Sequence, residues 1–466
     1  MTIFKSYQDV LRGDADTTEG QLDFTPRINA PDPVAVPVAV YTDRRYHELE
    51  KENIWSRVWQ MACREEHVPE PGDQYVYDIA GKSYLIVRGI DKTIRAFVNV
   101  CLHRGRMLRD YEGRAPEIRC PFHGATWNLD GSFRNIICRQ EFASFSDESW
   151  TLPQVSVGLW GGFVFINPAS NPQPLLEYLG DLVPQFDRWA IDRRYVGLHI
   201  IKKQRCNWKV AQEAFMEAFH VSITHPQEAW GFGDVASQYD AFDSFSRASS
   251  PRGIQSPLIK EVVSEQKIMD QMQEARSGER VGGKEQPEGM APREFLDERF
   301  RTLPEGVTAR EYMCQLNRMS MRKTIGDEVD KWSVAELVDR FYYTVFPNFH
   351  PWGSTSQFMY RFRPNGDDHL TSLMELITLP TFTGERPSPA APIVVDFDES
   401  WVDTMQATGL LLDQDSLNLP RVQQGLAATK QKTTRLATGQ ENKLRHFYRL
   451  YAKWLGEDWG QRKVRD

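Results

Sequence analysis

Two cysteines and two histidines in the stretch NVCLHRGRMLRDYEGRAPEIRCPFHGATW fall into two short pairs. They are Cys101-x-His103 and Cys120-x-x-His123, with sixteen residues between the pairs. Thiolates and imidazoles at this spacing, set in loop-rich sequence, describe a four-ligand metal site. Zinc takes these ligands. A [2Fe–2S] cluster also takes them when two cysteines hold one iron and two histidines hold the other. The flanks suit a cluster: Arg104-Gly105 follows the first histidine, Pro121 precedes Phe122, and His123-Gly124 leads to Trp127. Glycines here let backbone N–H groups turn toward the cluster sulfurs.

A second constellation lies further on, in EAFHVSITHP. Glu217 and His220 are three apart and would share one face of a helix running from Val210 to His220. His225 precedes Pro226, which biases it away from helical geometry and lets it swing onto the same metal as His220. Two imidazoles and one carboxylate on one side of Fe(II) leave positions open for dioxygen. The acid must come from elsewhere, and LLDQDSLNLPRVQQGL offers Asp413 and Asp415. Asp415 is preferred, because Asn418 follows it by three and the helix continues to Val422 and Leu426.

Taken together, these motifs resemble the large (alpha) subunit of Rieske non-haem iron aromatic-ring-hydroxylating oxygenases. The likeness covers nearly the whole chain, including Trp160-Gly-Gly-Phe-Val-Phe and Asn207-Trp208-Lys209. The resemblance implies that Cys101, His103, Cys120 and His123 hold the cluster. It also implies that His220, His225 and, on a looser motif, Asp415 hold a mononuclear Fe(II). The family most often has Asp where Glu217 stands, an acid that links a cluster histidine of one subunit to an iron histidine of its neighbour. Phe219 likewise replaces a usual Tyr. The expected activity is dioxygenation of an apolar aromatic ring, with electrons from NAD(P)H delivered by a reductase or ferredoxin. Monooxygenation or demethylation of a non-aromatic or amine substrate is the alternative. A homotrimer, with or without a small beta subunit, is expected. Phe215, Met216, Phe219, Phe346, Phe349, Trp352 and Phe358 are candidates for an apolar pocket. Glu213 could instead face a polar or cationic substrate, or be a solvated helix residue.

The elements that must position these residues form an α+β chain: a small all-β Rieske domain plus a helix-grip-type catalytic domain with an antiparallel sheet. Residues 1–41 read as an extended arm, 42–168 as the Rieske domain with a helical lead-in, and 169–466 as the catalytic domain. The periodicity of Tyr46, Leu49, Ile54, Val58 and Trp59 predicts a helix within 41–64. Short β-rich runs separated by Gly/Asp turns follow it. Leu175–Trp189 reads as an amphipathic helix and the stretch 195–203 as a strand. The charged stretch of about 270–310 reads as a surface segment, with a substrate lid as the sharper possibility. Strands resume from Arg340 with a hairpin turn at Pro364-Asn365-Gly366-Asp367. The stretches 398–412 and 414–456 read as mostly helical, with Pro420 near a helix start or kink.

A chain of 466 residues with 41 % hydrophobic and 26 % charged residues has ample length for a core. A formal net charge of −8 argues against a nucleic-acid binder. No run approaches the roughly 18 apolar residues of a membrane span, and the first twenty residues do not read as a signal peptide. Beyond the two candidate ligands, the four remaining cysteines show no paired framework, which suggests a reducing compartment, hence cytoplasm.

Overall fold

In the computed structural model the described residues are 5–14, 22–28, 33–277, 300–356, 358–405 and 409–459. The chain forms two compact units. The smaller comprises His47–Tyr178 with Pro364–Asp368, and the larger comprises Met1–Tyr46, Leu179–Arg363 and His369–Asp466.

The smaller unit is built on short strands. Gln60–Arg64 (β1), Asp73–Ile79 (β2), Lys82–Arg88 (β3), Ile94–Val98 (β4), Gly113–Arg114 (β5), Gln154–Trp160 (β9) and Phe163–Asn167 (β10) form a seven-stranded sheet in the order β1-β10-β9-β4-β3-β2-β5. Ile118–Arg119 (β6), Thr126–Trp127 (β7) and Phe133–Asn135 (β8) make a separate three-stranded sheet. The helix expected within 41–64 is shorter than its periodicity suggests. It covers Arg44–Asn53, and Gln60–Arg64 is a strand. All five residues of that strand are buried, so burial on both faces masked the alternation by which a strand is recognised. Leu85, Val87, Phe97, Trp127 and Trp150 form the core beneath the cluster loops.

The larger unit holds an eight-stranded sheet. Its strands are Leu198–Gln204 (β11), Gln238–Ala241 (β12), Phe245–Ser250 (β13), Arg340–Val345 (β14), Phe349–Pro351 (β15), Phe358–Asn365 (β16), Asp368–Thr378 (β17) and Pro392–Val395 (β18). The order is β12-β13-β14-β15-β16-β17-β11-β18, and β18 joins β11 in parallel. Side chains alternate between its faces. Phe341 and Tyr343 face one way, Phe341 stacking on Trp189 and Tyr343 packing at a tilt on Phe186. Tyr342 faces the other way and joins Tyr239, Ala248 and Ala218, with Val221, Phe232 and Trp352 against them. The same parity runs through β16. Arg361 and Arg363 reach Glu375 at 2.6 Å on one side, and Tyr360 and Phe362 meet Phe215 at 5.0 and 5.4 Å on the other. The second of these faces grips the segment that carries His220.

Three helical expectations need correction. Leu175–Trp189 is two short helices, Leu175–Leu179 and Leu182–Asp187. The helix from Trp208 stops at Glu213 instead of reaching His220, and a separate short helix covers Val221–Thr224. Near the end of the chain, Gly409–Ala428 and Asn442–Leu455 are helical, with Pro420 inside the first. The N-terminal arm is also more ordered than its composition suggests. Tyr7–Gly13 is helical with a Ser6 capping box. Tyr7 donates to Asp339 at 2.9 Å, and Arg310 clasps Asp14 at 2.7 Å. Of the charged stretch near 270–310, helices Glu265–Ser277 and Ala309–Ile325 take the two ends. Positions 278–299, where a lid was considered, lie outside the described residues. Among the described residues no helix is long and apolar enough to cross a membrane.

Candidate metal centres

The first centre sits on two loops of the smaller unit that fold alike. The Cys101 N–H donates to the Arg106 carbonyl at 2.8 Å, and the Gly105 N–H donates back to the Cys101 carbonyl at 3.0 Å. In the second loop Cys120 donates to Ala125 at 2.8 Å, and Gly124 donates back to Cys120 at 3.1 Å. Gly105 and Gly124 have φ of +76° and +67°, a conformation that disfavours a Cβ. This pair of matched turns brings the two thiols together, both buried and neither in a disulfide. The rings of His103 and His123 stand 4.7 Å apart. Burial, then the neighbouring Cys120 thiol, raises the Cys101 pKa, while backbone N–H groups of His103 and Arg104 act the other way. Burial, His123 and Arg104 all lower that of His103. These effects favour the neutral imidazole, the form with a lone pair to give. Its Nδ1 is buried with no hydrogen-bond partner among the described residues. Two buried thiols and an orphaned imidazole nitrogen fit a Cys₂His₂ cluster, whose metal charge would offset the cost of burying thiolates.

The second centre lies on the gripped face of the larger unit. The His225 Nε2 is 3.0 Å from Asp415 Oδ1, and the His220 Nε2 is 3.7 Å from the same oxygen. Ligand atoms of all three lie within 4.8 Å of one another. The far nitrogens are occupied. His220 Nδ1 donates to Glu217 Oε1 at 2.5 Å, and the His220 backbone N–H donates to Glu217 Oε2 at 3.2 Å. His225 Nδ1 lies 2.8 Å from Gln414 Oε1, which also accepts from Gln227 at 2.7 Å. Each histidine thus has its tautomer set so that Nε2 turns toward Asp415. Burial works against charge on His220, but the hydrogen bond and charge of Glu217, helped by Asp415, raise its pKa.

Glu217 and His220 meet through a turn rather than along a helix face. A carboxylate that binds the N–H three residues on competes with helical hydrogen bonding, which agrees with the break after Glu213. The choice between the two aspartates follows from the helix Gly409–Ala428. Residues two apart point about 200° apart around such a helix. Asp415 meets the histidines, and Asp413 accepts from the Trp401 N–H at 2.8 Å and the Ser400 hydroxyl at 2.5 Å.

Glu213 does not face a substrate. It accepts from Tyr448 and Tyr41. Phe346 packs on Phe447 and Phe219 is exposed, whereas Phe215, Trp352 and Phe358 join the aromatic surface around Tyr360. Gln414 was not singled out from the sequence, although its place between Asp413 and Asp415 could have drawn notice. Tyr239, whose hydroxyl accepts the Ala218 N–H at 2.9 Å, carries no signal in sequence. A further group, His47, Glu48 and Asp367, is already neutralised by Lys51, whose Nζ lies 2.8 Å from Asp367 and 3.1 Å from Glu48.

Family comparisons agree with this geometry. Residues 58–146 match the Rieske [2Fe-2S] domain, and residues 185–457 match the ring hydroxylating alpha subunit (catalytic domain). This chain belongs to the Rieske non-haem iron ring-hydroxylating alpha-subunit family. Its fold accordingly joins a Rieske β domain to a catalytic domain built on a mainly antiparallel sheet. Its two matched domains are those of a Rieske [2Fe–2S] cluster and of a catalytic mononuclear iron. The carnitine monooxygenase oxygenase subunit of Escherichia coli K12 is 32 % identical over 203 residues, 43 % of this chain and 53 % of that protein. Biphenyl dioxygenase subunit alpha of Paraburkholderia xenovorans is 32 % identical over 231 residues, 46 % of this chain and 47 % of that protein. The matched region thus spans about half the length of these curated relatives. Among solved structures, a quaternary ammonium Rieske monooxygenase in complex with L-carnitine superposes with a TM-score of 0.62 at 18 % identity, covering 91 % of this chain and 97 % of that one. Naphthalene 1,2-dioxygenase with indole bound gives 0.61 at 17 %, covering 91 % and 92 %. At such identities the superpositions speak for the fold alone.

Proposed function

We propose that this chain is the oxygenase component of a multicomponent Rieske system that hydroxylates an aromatic ring with dioxygen. Electrons come from NAD(P)H through a reductase, directly or through a ferredoxin. The supporting observation is the aromatic surface on the sheet face turned to the metal triad. Tyr360 lies 5.0 Å from Phe215, 5.5 Å from Phe358 and 6.0 Å from Trp352, and Trp352 stacks on Tyr342 at 5.3 Å. Flat apolar rings offer area and offset-stacked or edge contacts to another ring.

His220, His225 and Asp415 would hold the iron, and Cys101, His103, Cys120 and His123 the cluster. Bound by two imidazoles and one carboxylate, Fe(II) supplies dioxygen activation at the positions those ligands leave open. The chain's own work is positioning. Glu217 keeps the proton of His220 on Nδ1, and Gln414 does the same for His225. One imidazole is thereby backed by a carboxylate and the other by a neutral amide, so His220 is the stronger electron donor of the pair. Glu217 is also the acid through which neighbouring subunits of a homotrimer would communicate. A cytoplasmic location fits the absence of disulfides among the described cysteines.

A second reading is monooxygenation of a quaternary ammonium substrate, favoured by the similarity to carnitine monooxygenase. Incubating the reconstituted system with naphthalene-like compounds and with carnitine under labelled dioxygen, then counting labelled oxygens in the product, separates the two. A dihydrodiol with two labels supports the first reading. A singly labelled product from the amine supports the second.

A further inference from the structure

The polar groups on the gripped sheet face are largely satisfied by one another. The Tyr239 hydroxyl accepts the Ala218 N–H, and the Tyr342 hydroxyl lies 3.1 Å from Ser250. His350 joins Thr344 at 3.1 Å and Gln212 at 2.9 Å. The Tyr360 hydroxyl is different. It has no hydrogen-bond partner among the described residues, although Tyr360 is only 6 % exposed. The ring is buried, and the phenol stands within the electrostatic reach of two opposite charges. Burial is the main effect raising its pKa, the Asp415 carboxylate adds to it, and the Arg340 guanidinium opposes it.

Arg340 belongs to the same face. It precedes Tyr342 by two positions on β14, so strand alternation turns both side chains the same way. Its Cζ lies 6.0 Å from the Trp352 ring, and Nη1 donates to Ser356 Oγ at 3.1 Å. From the other side Lys443 Nζ lies 4.5 Å over the Tyr342 ring and donates to the Tyr342 carbonyl at 2.9 Å. The stacked Tyr342–Trp352 pair thus lies beside one guanidinium, while burial pushes the Lys443 amine well below its ordinary pKa and so disfavours its charge. A substrate bearing only positive charge would meet repulsion there, while an anion would find a guanidinium and a phenol hydroxyl with no partner of its own. A guanidinium matches a carboxylate in a planar, bidentate way.

We propose that Arg340 and Tyr360 form a carboxylate-recognition subsite beside the metal triad, so that the substrate of this oxygenase carries a carboxylate. The proposal rests on the reading of His220, His225 and Asp415 as the oxidising centre, and it holds for a ring acid and for a zwitterion alike.

The test uses the iron-loaded full chain and three probes of similar size: benzoate, benzamide and benzyltrimethylammonium. Binding is measured by calorimetry for the native protein, Arg340→Gln, Arg340→Lys and Tyr360→Phe. The visible spectrum of the cluster and the iron content verify that each variant is folded and loaded. Benzoate is expected to bind about 10- to 100-fold more tightly than benzamide, the size of a charge-assisted hydrogen bond. Arg340→Gln should remove that preference, Arg340→Lys should keep part of it, and Tyr360→Phe should reduce it. Benzamide equal to benzoate, absence of measurable benzoate binding, the cation binding tightest, or a benzoate preference unchanged in Arg340→Gln would each overturn the proposal. The last of these is what a carboxylate held only by the iron would give. Failure of the oxygenase reading shows separately, as about two irons per chain instead of three.

Discussion

Glu213 offers a stability test that can be worked through from the structure. Its carboxyl is desolvated by burial, the largest effect on it. Hydrogen bonds from Tyr448 and Tyr41 oppose that effect, the charge of Glu441 adds to it, and Lys209 one turn earlier opposes it again. The balance raises the pKa from 4.5 to about 7. At about 1.4 kcal/mol for each tenfold change in proton affinity, this links folding to roughly 3 kcal/mol. The sign follows from which state binds the proton more tightly. With the folded value above the unfolded one, the contribution is fully present below pH 4.5 and is lost as pH rises toward about 7. Glu213→Gln keeps the shape and the acceptor for the tyrosine hydroxyls but cannot ionise. The variant should therefore match the native protein near pH 4.5 and exceed it by up to about 3 kcal/mol at pH 8. Denaturant unfolding of both proteins at half-unit pH steps gives the difference at each pH. Glu336, Asp339 and Glu441, whose pKa values burial also raises, are present in both proteins and cancel. A difference that is the same at every pH would refute the reasoning, because a merely structural effect of the amide carries no proton linkage.

Other consequences follow from the metal sites and the N-terminal clasp. Glu217→Gln should leave the iron content at its native level while cutting turnover about 100-fold, on the scale of lost outer-shell partners; native turnover would exclude the role given to Glu217. Gln414→Ala removes the partner of His225 Nδ1 and should weaken Fe(II) binding about 10- to 100-fold by anaerobic titration, with Gln414→Glu restoring most of it. Arg310→Ala strands the buried Asp339 and Asp14 carboxylates. It should lower the denaturation free energy by about 3–5 kcal/mol, whereas a loss below about 1 kcal/mol would mean that the N-terminal helix is not anchored through this pair.

Much of the chemistry was legible in residue spacing because a metal ligand set is partly local. Cys101 and His103, or Cys120 and His123, need only one loop each to meet, and the glycine four residues after each cysteine already announces the turn. His220 and His225 are similarly close in the chain. Asp415 was less secure, since Asp413 had equal chemistry and only helix phase, with the Ser400 hydroxyl and Trp401 N–H that hold Asp413, separates them. The break at Glu213 was hidden for a related reason: helix propensity in Val210–His220 is high, and a hydrogen bond from the His220 N–H to the Glu217 side chain overrides it. The strand Gln60–Arg64 was read as helix because burial on both faces erased its period.

The candidate ligand sets and the α+β class were legible in sequence, because they depend on short-range spacing and side-chain chemistry. Tertiary structure decided what surrounds those ligands. Arg340 and Tyr360 converge on one sheet face only after strand pairing sets which alternate residues turn inward, and a one-residue slip in register would send them to the other side. Tyr7 and Asp14 are held by Asp339 and Arg310 some three hundred residues away, a contact to which no local pattern points. Chain folding sets such long-range partners through packing of whole elements, so they are written in no single stretch of sequence.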